Sequence, residues 1–467
     1  MRGPLYTAAE IRRIDDAAGG AVPPLMERAG SAAAELAVAL ASDRQKDILV
    51  LAGPGNNGGD ARIAAQRLSE QFFRVSVATR ADEIPPAKAW GLVIDGLFGI
   101  GLARPIGAPY AALVDYANRQ SCPVLALDVP SGIDADSGRV LGCAVRATHT
   151  LTFIALKPGL LTLDGPDHCG EVRVAELGLD CGKLLPPSGW VAHPGLFARV
   201  LKRRARNFHK GLAGSLGILG GASGMTGATL LAGRAALKLG AGRVYVGLLD
   251  EKAPGVDAVA LELMLRHADD ALGQDLDALV IGPGIGRGER AEALLAATLA
   301  SDIPCVIDAD ALNLMSENGD LRRVCARRSA DTLLTPHPAE AARLLKSKVP
   351  EVQADRISAA KAISRELGAH VVLKGNGSVM VARDGHWFIN TSGNPGMASA
   401  GTGDVLAGML GALLAQGYSG ESSLVLGVHL HGAAADELVR AGCGPVGLTA
   451  GELVEPARRL WNSWLGA

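Results

Sequence analysis

Aromatic side chains are scarce: Phe, Trp and Tyr together supply 4% of the 467 residues. A surface that binds single-stranded nucleic acid needs aromatic platforms for stacking, so that class is disfavoured. Charge of one sign is missing too. Lys and Arg number 46 against 48 Asp and Glu, a formal net charge of −2. That lacks the basic excess of a nucleic-acid binder, although a local cationic site for phosphates remains open. Seven cysteines (Cys122, Cys143, Cys169, Cys181, Cys305, Cys325 and Cys443) form no C-x-x-C pair, and their number is odd. They read as reduced cytosolic thiols rather than as a disulfide or zinc framework. Long apolar runs are absent. A stretch such as Val405 to Gly420 is broken by glycine and polar residues and does not suit a bilayer span. Met1 to Ala18 carries Glu10, Arg12, Arg13, Asp15 and Asp16 and has no apolar signal core. The expectation is a cytoplasmic enzyme with no membrane and no nucleic-acid partner.

What is abundant is glycine, 60 residues, set in short loops between apolar runs rather than in low-complexity tracts. The length predicts two or three domains. In the first half, apolar runs at Asp47–Gly53, Phe73–Thr79, Gly91–Leu97, Cys122–Asp128 and His149–Ala155 alternate with helical patterns such as Gly59–Glu70 and Ala108–Arg119. Runs this apolar suit parallel strands buried on both faces, so the pattern predicts a three-layer αβα sheet of Rossmann-like type. Two Ala-rich helices, near Thr7–Ala17 and Pro24–Ala41, precede it. The pattern fades near Leu177. Gly182 to Gly195 and the basic cluster Arg199–Arg206 read as a linker, the cluster as a solvated face. The domains are accordingly placed at residues 1–190 and 205–467. The second half restarts the alternation at Ser215–Gly221, Arg243–Leu249, Ala278–Pro283, Pro304–Asp308, Thr332–Thr335 and His370–Lys374. A hairpin follows around Asp384-Gly385, then helices at Gly403–Gln416, Glu421–Ala441 and Thr449–Trp461.

The densest motif of the first half is Gly53-Pro54-Gly55-Asn56-Asn57-Gly58-Gly59-Asp60, between a strand and a helix. Glycines there allow close backbone approach to a ligand, and the helix start favours an anion. Its glycine spacing is not that of the dinucleotide fingerprint. Two further strands end in carboxylates, Asp95 and Asp128. Asp95 leads into Gly99-Ile100-Gly101-Leu102-Ala103-Arg104-Pro105, and Asp128 into Val129-Pro130-Ser131-Gly132. Ligands of open α/β sheets sit beyond the carboxyl ends of strands, so these acids are expected to face the Asn-rich loop.

In the second half, Asn394 to Asp404 ends in Gly401-Thr402-Gly403-Asp404 before a long apolar helix. Backbone N–H groups at a helix start suit an anion. The Asp is set to take a proton from a substrate hydroxyl, the logic of phosphoryl transfer. Three more loops are expected to join it: Gly282-Pro283-Gly284-Ile285-Gly286, Thr335-Pro336-His337-Pro338, and Lys374-Gly375-Asn376-Gly377-Ser378. His429 and His431, two apart on a helix, read as packing or surface residues rather than a metal pair.

Both halves resemble known families. G-P-G-N-N-G-G-D, I-D-G-L-F-G-I-G, L-D-V-P-S-G-I-D and F-I-A-L-K-P-G resemble the NAD(P)H-hydrate epimerase domain over about Leu5 to Leu177. The resemblance implies a potassium ion on Asn57, Asp95 and Ser131. It implies substrate contacts from Asn56, Asn57, Gly58, Gly59, Asp60, the seven residues Gly99 to Pro105, and Asp128. Oxygen donors suit such a hard cation, and Asp128 is the candidate acid/base for epimerisation. Ala61 stands where that family usually has glycine. Leu102-Ala103-Arg104 stands where consecutive basic residues are frequent.

From about Asn207 to Trp461, H-K-G-L-A-G-S-L-G-I-L-G-G, G-M-T-G-A, G-P-G-I-G, T-P-H-P-A-E, L-K-G and N-P-G-M-A-S-A-G-T-G-D resemble the ribokinase-like ADP/ATP-dependent NAD(P)H-hydrate dehydratases. The resemblance implies substrate contacts from Ala228, Gly284, His337 and Asp404, with Asp404 catalytic. It implies adenine-nucleotide contacts from Lys374, Gly375, Asn376, Gly377, Ser378 and Gly403. ADP or ATP would be co-substrate, with magnesium assisting its phosphates. Ser399-Ala400 replaces the family's frequent Thr-Gly. A homo-oligomer is expected. Two other readings stay open: a ribokinase-type small-molecule kinase, and a first half that binds without turnover.

Overall fold

The computed structural model describes residues 2–41, 43–85, 88–201 and 203–466. Met1 and Ala467 at the expected domain limits, and Lys202 of the basic cluster, lie outside them. The chain divides into two compact units, residues 3–190 and residues 191–466 together with Arg2.

In the first unit six parallel strands lie in the order Val75–Ala78, Asp47–Ala52, Trp90–Gly96, Val124–Leu127, His149–Phe153, Glu171–Ala175. Period-two alternation explains the layering. Ile48, Val50 and Ala52 pack with helices Ala8–Ala17, Leu25–Leu40 and Asn56–Glu70 on one face. Leu49, Leu51 and Val93 pack with helix Ala108–Asn118 on the other. Both faces are buried, so these strands read as continuous apolar runs. Strand order reverses between Asp47–Ala52 and Trp90–Gly96. A topological switch of this kind opens a crevice at the strands' carboxyl ends, where the Asn-rich loop and Asp95 lie.

The second unit carries nine strands in the order Trp387–Asn390, Ser378–Val381, His370–Leu373, Thr332–Leu334, Cys305–Ile307, Ala278–Ile281, Ser215–Gly220, Arg243–Leu248, Met264–His267. The first two join antiparallel and the rest are parallel. Helix Thr402–Ala415 is apolar all round and buried from Val405 to Ala415, as a core helix must be. Around Asp384-Gly385 residues 382–386 join the two strands: Ala382 N–H donates to the His386 carbonyl at 2.8 Å and Gly385 N–H to the Ala382 carbonyl at 2.9 Å, with Gly385 at φ 96°.

Three elements differ from expectation. Gly182 to Gly195 is not an unstructured linker, because strand Gly189–Ala192 lies in it and pairs antiparallel with Pro4–Leu5. Strands Glu171–Ala175 and Met264–His267 escape the sequence reading because they are half-exposed edge strands, without a continuous apolar run. Among the described residues no helix is long and apolar enough to cross a membrane.

Candidate active sites

In the first unit the carboxyl ends of three strands meet. Asp95 is fully buried and accepts from Ser131 N–H at 2.8 Å, the Ser131 hydroxyl at 2.6 Å and Leu97 N–H at 3.2 Å. Burial raises its pKa to about 6 despite these bonds. Asn57 is buried at the start of helix Asn56–Glu70, and both atoms of its amide lack a hydrogen-bond partner. Such orphaned groups are costly unless a ligand satisfies them.

Asp128 directly follows its strand at φ 65°, a strained conformation that Asp tolerates better than most residues. Its carboxylate accepts from Lys157 Nζ at 2.5 Å and Ile100 N–H at 3.3 Å. Lys157 is fully buried and also donates to Thr152 Oγ1 at 2.8 Å and the Phe153 carbonyl at 2.6 Å. Gly99 lies between the two sets: a Cβ there would stand 2.9 Å from Asp128 Oδ2 and 3.4 Å from Asn57 Cγ. Asp60, one turn into the helix, has its pKa raised to about 7 by burial, then by the charges of Asp128 and Asp15. Gly101, Ala103, Arg104 and Pro105 lie exposed. Among the described residues no hydrogen bond ties them to Asp128 or Asn57.

The Gly-rich loop is tight for reasons internal to the protein. A Cβ on Gly53 would stand 1.8 Å from the Leu97 carbonyl oxygen, and one on Gly58 1.9 Å from that of Gly53. These two glycines therefore serve strand–loop packing, beyond the ligand approach expected of them. Ala61 is buried, and a Cβ on Gly96 would stand 2.4 Å from its methyl, so Gly96 leaves the space that Ala61 fills.

The second site also lies at strand ends. Asp308, after strand Cys305–Ile307, is buried and accepts from the Thr335 hydroxyl at 2.6 Å and Lys374 Nζ at 3.1 Å. A Cβ on Gly403 would stand 3.3 Å from that Nζ. The Gly401–Asp404 turn is held by the Thr402 hydroxyl, within 3.1 Å of the Met397 and Ser399 carbonyls. Burial raises the Asp404 pKa to about 6, reinforced by Asp308 and opposed by Lys374. His337 Nδ1 accepts from Ala339 N–H at 3.0 Å and Glu340 N–H at 3.4 Å, which caps helix Pro338–Leu344. Burial, then Lys374, lowers its pKa, and Nδ1, being the acceptor, leaves Nε2 to carry the ring proton. Ala222 N–H donates to the Gly284 carbonyl at 2.7 Å, and the Thr229 hydroxyl to that of Pro283 at 2.9 Å, joining the start of helix Thr226–Lys238, which carries Ala228, to the loop that carries Gly284.

Both units resemble known proteins. The family model for NAD(P)H-hydrate dehydratase matches residues 216–455, and that for the YjeF-related protein N-terminus matches residues 23–90 and 79–159. The bifunctional NAD(P)H-hydrate repair enzyme Nnr of Coxiella burnetii is 38% identical, covering 98% of this chain and 99% of its own. The chain belongs to the bifunctional NAD(P)H-hydrate repair enzymes. Its Escherichia coli relative of the same name is 36% identical over 98% of this chain and 94% of that one. A crystal structure of ADP/ATP-dependent NAD(P)H-hydrate dehydratase from Bacillus subtilis, co-crystallised with ATP and Mg2+, is 28% identical with a TM-score of 0.51. It covers 59% of this chain and 98% of that one.

Sequence reasoning within this family missed Lys157 and Asp308; it read His431 as a packing or surface residue, and the structure buries it. Lys157 stands in F-I-A-L-K-P-G, and Asp308 directly follows its strand as Asp128 follows its own, so both signals were present. His431 is buried and hydrogen-bonds the Thr402 backbone, with Nε2 unpartnered. Its neighbour His429 packs on Phe197 and Trp464 at 5.9 Å. Among the described residues no His/Cys/Asp/Glu cluster could hold a metal ion.

Proposed function

We propose that the chain repairs hydrated nicotinamide cofactors. It epimerises R- and S-NAD(P)H hydrate and dehydrates the S form to NAD(P)H, consuming ADP or ATP. The epimerase domain is assigned to residues 1–190 and the dehydratase domain to residues 205–467. The observation that carries this reading is the convergence of Asp404, Gly403, Lys374 and Asp308 at the start of an apolar helix. A Neisseria meningitidis protein named ADP-dependent (S)-NAD(P)H-hydrate dehydratase, 46% identical over 57% of this chain, supports it.

Hydroxide is a poor leaving group, so the hydroxyl is first esterified. Asp404 takes the proton of the ring hydroxyl while its oxygen attacks the terminal phosphorus of the nucleotide. The bond from that phosphorus to its bridging oxygen breaks, and ADP leaves as AMP. The C–O bond of the new ester then breaks, inorganic phosphate departs with the bonding pair, the neighbouring ring carbon loses its proton to solvent, and the double bond returns. Lys374 to Ser378 and Gly403 hold the nucleotide, with Lys374 countering phosphate charge. Ala228, Gly284 and His337 hold the hydrate. Magnesium would arrive on the nucleotide's own phosphates, since it usually binds through them and a few carboxylates.

In the first unit Asp128 is the acid/base at the hydroxylated carbon, and Lys157 holds its carboxylate in place. Asn56 to Asp60 and Gly99 to Pro105 surround the substrate. A potassium ion fits Asn57, Asp95 and Ser131: the Asn57 amide oxygen is orphaned, and Asp95 has no cationic neighbour acting on it. The ion would fix the strand-end loops and help hold the substrate. Replacing potassium by tetramethylammonium should slow epimer exchange and leave dehydration unchanged; equal exchange rates would remove the ion from this account.

All seven cysteines are free, which accords with a cytoplasmic location. A homo-oligomer belongs to this reading, because Val256, Val259 and Leu261 expose apolar surface on one loop. Light scattering tests it, a monomer mass being the contrary result. The deciding assay for the chemistry supplies S-NADH hydrate with ADP. Restored NADH with inorganic phosphate is expected, whereas a stable phosphate ester would make the chain a kinase.

A further inference from the structure

Helix Arg356–Leu367 opens on an arginine that is 1% exposed. Its guanidinium lies against the 374–378 loop. Nη2 donates to the carbonyl oxygens of Leu373 at 3.1 Å, Lys374 at 3.4 Å and Gly377 at 3.5 Å. Nη1 donates to Gln353 Oε1 at 2.8 Å, and Nε has no partner. Gly375 has a φ of 147°, and a Cβ there would stand 2.8 Å from Nη1 and 2.9 Å from Nη2. Glycine at this position is therefore required both by the backbone and by the guanidinium beneath it. Burial alone acts on the group, with no neighbouring charge contributing, and pulls its pKa down to about 10, so it stays charged at neutral pH.

A buried cation with no anion at its side is an unusual feature. Two facts together explain this one: the loop's carbonyl oxygens are gathered onto it, and the loop is where nucleotide phosphates are proposed to sit. We infer that Arg356 is a positioning residue for nucleotide use, fixing the backbone that presents Lys374 and residues 375–378 to the phosphates of ADP or ATP. The inference rests on the nucleotide-site reading above. It needs both ends of arginine's planar fork, because Nη2 serves the loop carbonyls while Nη1 is held by Gln353, and an ammonium offers only one nitrogen for the two sides.

The test uses the full chain with Arg356→Gln and Arg356→Lys, S-NADH hydrate, and varied ADP. Arg356→Gln should raise KM for ADP by about tenfold or more with kcat within about threefold, the signature of lost nucleotide positioning. KM for the hydrate and the epimerase rate of the same sample should not change. Arg356→Lys should fall between native and Gln. If Arg356→Gln does not fold, Arg356→Lys decides, with a KM for ADP at least about threefold above native expected. An unchanged KM for ADP, with lowered melting temperature or lowered kcat, overturns the inference and leaves a purely structural arginine. A native chain with neither ADP- nor ATP-dependent dehydration would overturn this inference and the reading it rests on together.

Discussion

Asp404 lies in the first turn of a helix and Asp128 directly after a strand, and their neighbours give the two carboxylates different surroundings. Asp404 has a pKa raised to about 6, because burial and Asp308 outweigh Lys374. A base works only when deprotonated, so kcat/KM for dehydration should rise about tenfold per pH unit below pH 6 and level off above it. Asp404→Asn should lower kcat by about 10²–10⁴-fold without touching epimerisation; loss within tenfold would assign the proton to another group. Asp128 instead shares a buried pair with Lys157. Lys157→Met leaves that carboxylate unpaired and should destabilise the first unit by about 3–5 kcal/mol, read by denaturant unfolding. Asp128→Asn, which keeps the tolerance for positive φ, should abolish epimer exchange and spare dehydration. Asp95 and Asp128 were legible because both stand where an apolar run meets a glycine-rich loop. The Lys157 pairing was not, since it joins residues 29 apart through the sheet, and nothing in local spacing marks a lysine as buried.

Among elements, the strands most legible in sequence are those buried on both faces. Asp47–Ala52 reads as one apolar run because Leu49 and Leu51 face one helix layer and Ile48 and Val50 the other. Glu171–Ala175 was invisible for the converse reason, its residues being exposed or half-buried. The apolar helix Thr402–Ala415 was legible, but its closest contact was not: a Cβ on Gly408 would stand 2.0 Å from the Ala232 carbonyl oxygen of helix Thr226–Lys238. Gly408→Ala should therefore destabilise the second unit by about 1–3 kcal/mol by overpacking. Because the same helix carries Gly403 and Asp404 in its first turn, dehydration should suffer more than epimerisation. Unchanged stability would mean that the two helices part at little cost.

At the scale of the whole molecule, each of the two α/β units has its own candidate site at strand ends, and curated relatives span nearly the full length of the chain. A dehydratase that takes one epimer leaves the other unused, and an epimerase on the same chain supplies it. The measurement that tests this most directly mixes the purified chain with both epimers of NADH hydrate and then adds ADP or ATP. Recovery is followed by the absorbance of the reduced nicotinamide ring, with and without potassium. Full recovery from both epimers, dependent on nucleotide and complete before spontaneous epimerisation, is the predicted result. Recovery of the S epimer alone would contradict the account and reduce the first unit to a binding module.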